Sequence, residues 1–246
     1  MFHQPSQVMT ITATQARMRS NMPSARMEVS MKRRWVIVGI SSMALICAGI
    51  LVRTERKNRQ LAKRAAAYRI LAEQGDAKSQ LALGGMYYYG KGVPKDYVEA
   101  AHWYVKSAEQ GNGSAQYSIA SMYYDGKGVP QDNSEGARWC RRAAEQGDAS
   151  AQYGLGIIYS RGQGVPQDYA EAVRWYRKSA DQGYPQAQYA LGFMYYYGYG
   201  VQRDRVRGED LFQQAAAHGN ADAKRALECD RKGISIDPGA GLRGLQ

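Results

Sequence analysis

GSAQYSIASMYYDGKGVPQDNSEGARWCRRAAEQGD, residues 113–148, is one of four near-copies of a single phrase. The others are AKSQLALGGMYYYGKGVPKDYVEAAHWYVKSAEQGN (77–112), ASAQYGLGIIYSRGQGVPQDYAEAVRWYRKSADQGY (149–184) and PQAQYALGFMYYYGYGVQRDRVRGEDLFQQAAAHGN (185–220). The register never slips. Gly92, Gly128, Gly164 and Gly200 stand 36 residues apart, as do Gly111, Gly147, Gly183 and Gly219. Half units flank the array: RAAAYRILAEQGD (64–76) matches the second half of a repeat and ADAKRALECD (221–230) the first. A fixed period of this length marks an architecture in which each unit is one supersecondary element and only stacking buries a continuous core.

Each unit reads as two antiparallel helices. The first carries apolar or small residues at helical spacing, such as Leu83, Gly84 and Tyr87, and its start is capped at Asp76, Asn112 and Asp148. The fourth copy has Tyr184 there, followed by Pro185 at the favoured first helical position. The second helix opens with an acid followed three residues later by Glu: Asp96 and Glu99, Asp132 and Glu135, Asp168 and Glu171. This spacing predicts reciprocal capping of free N–H groups, except in the fourth copy, where Arg207 follows Asp204. A glycine closes each second helix, taking the left-handed cap without strain. The small residues Gly84, Ala120, Gly156 and Gly192 predict close approach of a neighbouring helix, and Trp103, Trp139 and Trp175 recur as core rings.

The loop YYYGKGVPKD (87–96) has two glycines flanking a lysine, a pattern whose backbone N–H groups suit an anion. The repeats supply the control. Lys91 becomes Lys127, then Gln163, then Tyr199, while the glycines and aspartate stay. A phosphate-gripping lysine would not vary so, and the loop does not match the nucleotide-binding pattern. The glycines are assigned to the turn.

These residues resemble the Sel-one-like repeat family, relatives of the tetratricopeptide repeats. The resemblance runs through A-x-Q-Y-x-L-G-x-x-Y, Y-x-G-x-G-V-P-x-D and A-x-x-W-Y-x-x-A-x-x-G, and covers 77–220 fully. The fourth unit departs most, with Gln202, Leu211 and Phe212 in place of Pro, Trp and Tyr. The expected fold is all-α: a right-handed α-solenoid of four 36-residue helix-turn-helix repeats with flanking half-repeats, preceded by one transmembrane helix. Such repeats commonly act as interaction scaffolds, so the resemblance implies protein–protein binding. Cysteine-rich relatives linked to β-lactams carry regularly paired cysteines, which this chain lacks.

Charge is unevenly placed. Residues 1–64 hold 12 Lys/Arg against Glu28 and Glu55, whereas residues 65–246 hold 21 against 20 acids. With the repeats nearly neutral, no nucleic-acid partner is expected. The basic N-terminus surrounds WVIVGISSMALICAGILV (35–52), eighteen residues without a charge, just long enough to span a bilayer. Retained signal-anchor, cleaved signal peptide and buried core helix compete. The retained anchor is favoured, because the basic flanks argue against a core helix and AGILVRTE offers no cleavage site. Six bases precede the span within twenty residues and seven follow it, so the flanks do not set its orientation. A start at Met31 (MKRRW) leans toward export of the repeats, giving a bacterial inner-membrane protein with a periplasmic domain. The expected organisation is a basic, disordered tail (1–34), the anchor (35–52), a basic linker helix (53–64), the solenoid (65–230) and a flexible tail (231–246).

Nothing points to catalysis. His3, His102 and His218 have no carboxylate or cysteine at ligand spacing, and Cys47, Cys140 and Cys229 form no C-x-x-C pair. No cofactor, metal or catalytic residue is assigned, and no odd polar cluster breaks the repeat symmetry. By analogy with tetratricopeptide repeats, a concave groove is lined by first-helix positions such as Tyr117, Tyr153, Ile157 and Tyr189. The partner-binding residues are expected to be Tyr88, Tyr89, Tyr124, Asp125, Arg161, Phe193, Tyr196 and Tyr197, taking a peptide or helix. Tyrosine suits an interface because it offers broad contact area at little rotamer cost. Tyr117, Tyr153 and Tyr189 recur so regularly that filling gaps between first helices is an equal reading. The alternative function is an envelope glycan-binding module that stacks sugars on the same tyrosines.

Overall fold

The computed structural model describes residues 50–234, in two units. In the unit spanning 1–57, residues 50–57 are helical, and the expected tail (1–34) and most of the expected anchor lie outside the described residues. Among the described residues no helix is long and apolar enough to cross a membrane. The unit spanning 58–246 is described to residue 234, and the rest of the expected C-terminal tail also falls outside.

Among its described residues the second unit consists of helices and the loops between them. It opens with α1 (58–73) and continues with α2 (Ala77–Tyr89), α3 (Tyr97–Glu109), α4 (Gly113–Asp125), α5 (Asn133–Glu145) and α6 (Ala149–Arg161). It ends with α7 (Tyr169–Asp181), α8 (Pro185–Tyr197), α9 (Arg205–Ala217) and α10 (Ala221–Arg231). From α2 onward, the extensive contacts run between helices adjacent in sequence, and they are largest between the two helices of one repeat. This is the stacked core expected of a solenoid.

The first-helix caps are as expected. Asp76, Asn112 and Asp148 accept from the amides of Ser79, Ala115 and Ala151, and Tyr184 makes no side-chain cap. The second-helix caps correct the expectation in part. Asp96 accepts from the amides of Val98 and Glu99, but its own N–H donates to the Tyr87 carbonyl at 3.0 Å. The same backbone bond recurs from Asp132 to Tyr123 and from Asp168 to Tyr159. With that N–H already satisfied, the glutamate has nothing to cap. Glu135 and Glu171 instead pair with Arg138 (2.6 Å) and Arg174 (2.5 Å).

The loop glycines divide the work. In the third repeat Gly162 is the left-handed cap of α6, at φ +67°. Gly164 lies flat against the first peptide of α5 in the preceding repeat. A Cβ there would overlap the Asn133 carbonyl and stand 2.6 Å from the Ser134 amide. Gly92, Gly128 and Gly200 meet Leu61, Tyr97 and Tyr169 in the same way. The second glycine is therefore a joint between repeats as well as part of a turn.

That joint also moves a boundary. Leu61 is the 36-residue equivalent of Tyr97, and Arg69 in α1 donates to the Tyr87 hydroxyl, as Arg177 does to Tyr195 at 2.6 Å. The stack thus begins by residue 61, inside the segment expected to be a linker ending at 64. A buried amide ladder runs beside it. Gln116 Nε2 donates to the Ala108 carbonyl of the preceding repeat while its Oε1 accepts from Gln146 of its own repeat. Gln80 and Gln152 repeat the arrangement, and His218 Nδ1 takes the place of the glutamine against Gln188.

Candidate functional site

The small residues of the first helices carry a ring of the second helix in the same repeat. A Cβ on Gly84 would stand 2.7 Å from the Tyr104 ring, on Gly156 2.5 Å from Tyr176, and on Gly192 2.9 Å from Phe212. The second repeat breaks the rule twice. Ala120 replaces the glycine and Cys140 replaces the ring. Cys140 is buried, and its thiol donates to the Ala151 carbonyl at 3.5 Å. Burial, with a smaller contribution from Asp148, pushes that thiol up to about 12.

Beside Cys140 lies a cavity of about 140 Å³ between α4 and α6. Tyr117 and Tyr124 line it from α4, Ile157 and Ile158 from α6, with Ala120 and Cys140 beneath. Tyr117 and Tyr124 are seated on glycines. The Tyr124 ring would meet a Cβ on Gly136 at 2.9 Å, and the Tyr117 ring one on Gly154 at 3.0 Å. No charged side chain lines this cavity. Sequence reasoning listed Tyr117, Tyr124 and Ile157 for the groove but missed the cavity. Its signal was the paired departure at positions 120 and 140 from the pattern of the other three repeats.

The sequence-predicted site residues fall into three groups. Tyr88 and Tyr89 pack edge to face at 5.0 Å, and Tyr88 also meets Tyr97 at 5.1 Å. Tyr89 is 64% exposed, and the Lys91 ammonium lies 4.9 Å from its ring centroid. Asp125 pairs with Lys127 at 2.7 Å, and the same lysine lies 6.0 Å from the Tyr88 ring, so this patch bridges the first two repeats. Tyr124 and Arg161 are half-buried.

The third group is in the core. Phe193 is 2% exposed and Tyr196 is 4% exposed, and both pack in a cluster with Tyr189, Phe212, Ala223 and Ala226. The C-terminal half-repeat α10 covers them, so neither presents a free groove surface. Tyr197 is half-buried against Phe193, with centroids 4.7 Å apart. Gap filling also holds for Tyr153, whose ring meets Tyr176 at 5.8 Å and Tyr184 at 5.5 Å.

The same end of the stack holds a polar cluster that the sequence reading did not see. Tyr196 donates to Asp230 at 2.5 Å and accepts from Arg205, which lies 3.6 Å from that carboxylate. With Arg203 and Glu209 they border an open cleft of about 590 Å³. Arg205, Glu209 and Asp230 stand where earlier repeats carry residues such as Tyr169, Val173 and Met194. A polar terminal face is what a solenoid needs where stacking stops. Among the described residues no group of three or more His, Cys, Asp or Glu is placed to hold a metal ion.

Comparison with known proteins follows this geometry. The model of the Sel1 repeat matches residues 77–112, 113–148, 149–184 and 185–220. The crystal structure of a protective antigen present in uropathogenic Escherichia coli strains, displaying an SLR fold, is similar with a TM-score of 0.66 and 36% identity. That match covers 75% of this chain and 40% of the other. A Sel1 repeat protein from Oxalobacter formigenes is similar with a TM-score of 0.63 and 37% identity, over 68% of this chain and 49% of the other. The chain thus spans less than half the length of both. No curated protein matches it. Sel1 repeat proteins generally mediate protein–protein interactions. Four consecutive matches in one unbroken register, on helices that stack as repeats, make this chain a member of the Sel1 repeat family.

Proposed function

We propose that this chain is a membrane-anchored adaptor that takes a peptide or helix of a partner protein along its first-helix face. The observation that carries the reading is the apolar cleft between α4 and α6, whose Tyr117 and Tyr124 rings stand beside Ile157. The exposed Tyr89 ring, with Tyr88 behind it, continues that aromatic surface toward the first repeat. Rigid rings held by a packed scaffold lose little freedom on binding, which favours contact surfaces of this kind.

The uncharged segment 35–52, between basic clusters, supports single-pass anchoring, and the basic start at Met31 leans toward repeats on the periplasmic side of a bacterial inner membrane. The second reading, a glycan-binding module, draws on the exposed face of Tyr89 and on the polar cleft beside Tyr197. No nucleic acid, cofactor or catalytic role enters either reading.

The test is site-specific photo-crosslinking in the cell, with p-benzoylphenylalanine at Tyr89 and, as control, at Val206 on α9, which is 79% exposed. The adaptor reading expects one discrete protein adduct from Tyr89 and none from Val206. Equal adducts from both positions contradict it. Adducts that migrate as glycan conjugates favour the second reading.

A further inference from the structure

We infer that the cavity beside Cys140 is a socket for one six-membered aromatic ring, supplied by a phenylalanine or tyrosine side chain of the bound partner. The partner half of this statement rests on the adaptor reading above; the socket itself does not.

The argument begins with what the second repeat lacks. Tyr104, Tyr176 and Phe212 each lay a ring on the small residue of their repeat's first helix, and Cys140 lays none. Ala120 returns only one methyl group to that place. The shortfall is left as open volume bordered by Ala120 and Cys140, about 140 Å³. An apolar cavity of about 150 Å³ stays dry and accepts benzene. The size therefore matches one six-membered ring.

The lining decides the chemistry of the ring. Without a charged group in the wall, a charged occupant would lose its hydration for nothing in return. A hydroxyl is a different case, since Ser121 and Gln163 also border the cavity. In the third repeat the Tyr176 hydroxyl lies 3.3 Å from Ser160 Oγ, but the equivalent of Ser160 in the second repeat is Tyr124. The first and fourth repeats also have a tyrosine at that position, Tyr88 and Tyr196, and the ring on the small residue is Tyr104 in one and Phe212 in the other. A phenol and a phenyl ring are therefore both accommodated beside such a neighbour. The Cys140 thiol is already committed to Ala151, so the floor presents sulfur and methyl surface.

The experiment uses the full chain in lipid nanodiscs with its isoleucine methyl groups labelled. N-acetyl-L-phenylalaninamide is the probe and N-acetyl-L-alaninamide the control. The Ile157 and Ile158 methyl signals should shift saturably with the first and not with the second. The double variant Ala120→Gly/Cys140→Phe rebuilds the ring-on-glycine arrangement of the other repeats, so it should keep its melting temperature and lose the shift. A wild-type protein whose methyl signals do not saturate, or a double variant that responds equally, overturns the socket. The Tyr89 crosslink then separates the two claims. Loss of the adduct by about tenfold in the double variant is the expected size for one buried anchor side chain. An undiminished adduct alongside an intact probe response refutes the aromatic anchor and leaves the adaptor reading standing. Absence of any adduct refutes the adaptor reading, and with it the partner's aromatic ring, whatever the probe does.

Discussion

Gln152 and Gln182 are joined by a hydrogen bond of 2.8 Å, with Nε2 of Gln182 donating to Oε1 of Gln152. The other end of Gln152 donates to the Ala144 carbonyl of the preceding repeat at 3.2 Å, so one buried amide links two units. Gln152→Ala would leave the Ala144 carbonyl and Gln182 without these partners. The Ala144 carbonyl keeps the Gly147 amide and Gln182 keeps the Gly147 carbonyl, so the expected cost is that of two hydrogen bonds lost, about 1–3 kcal/mol in all. Thermal unfolding checks it. Gln182→Ala, made at an exposed position, should cost less than the change at Gln152.

Gly164 and Gly183 both have positive φ, +74° and +82°, but only Gly164 is pressed against another repeat. Around Gly183 an added Cβ meets nothing within 4 Å. Gly183→Ala should therefore cost the left-handed strain alone, about 1–2 kcal/mol. Gly164→Ala adds a collision with the Asn133 peptide and should cost about 2–5 kcal/mol. Denaturant unfolding of the two variants reads the difference. Equal losses would mean that the second loop glycine serves only its own turn.

Local devices were legible in the sequence because their partners lie three or four residues away. Asp76, Asn112 and Asp148 cap where their spacing said they would, and the glycines fall at the left-handed positions. What escaped is tertiary. The Asp96 N–H is claimed by the Tyr87 carbonyl across the loop, which no i-to-i+3 rule foresees. Phe193 and Tyr196 read as groove residues until α10 is seen to cover them. The amide ladder had a visible signal, Gln80, Gln116 and Gln152 each followed 30 residues later by another glutamine. Only the stacked helices reveal that each pair shares one hydrogen bond. The cavity hid for a related reason. A missing ring matters only once the small residue that faces it is known.

Alkaline pH should weaken this fold. Burial raises the phenols of Tyr104 and Tyr189 to about 12, and it raises Tyr124, Tyr153 and Tyr176 as well. For an acid raised in the folded state, the unfolded chain loses its proton first. Stability is thus fully present below the unfolded value near 10 and falls as pH rises through 12. The expected observation is a melting temperature that is flat with respect to these groups below pH 9.5 and falls steeply above about pH 10. The tyrosinate absorbance of the buried rings should rise with unfolding and not before it. Ionisation of all nineteen tyrosines in a still-helical protein near pH 10 would contradict the burial described.

The central claim is that the first-helix aromatic face binds a partner while the rest of the repeat builds the stack. The most direct measurement compares the wild-type chain with Tyr88→Ala/Tyr89→Ala in binding the protein crosslinked at Tyr89, with circular dichroism and melting recorded alongside. Tyr89 is 64% exposed and Tyr88 half-buried, so the pair can be removed at a modest stability cost. The account predicts affinity lower by about tenfold or more, with helical content unchanged. Unchanged affinity in a folded double variant would contradict it, and would move the binding surface away from this face.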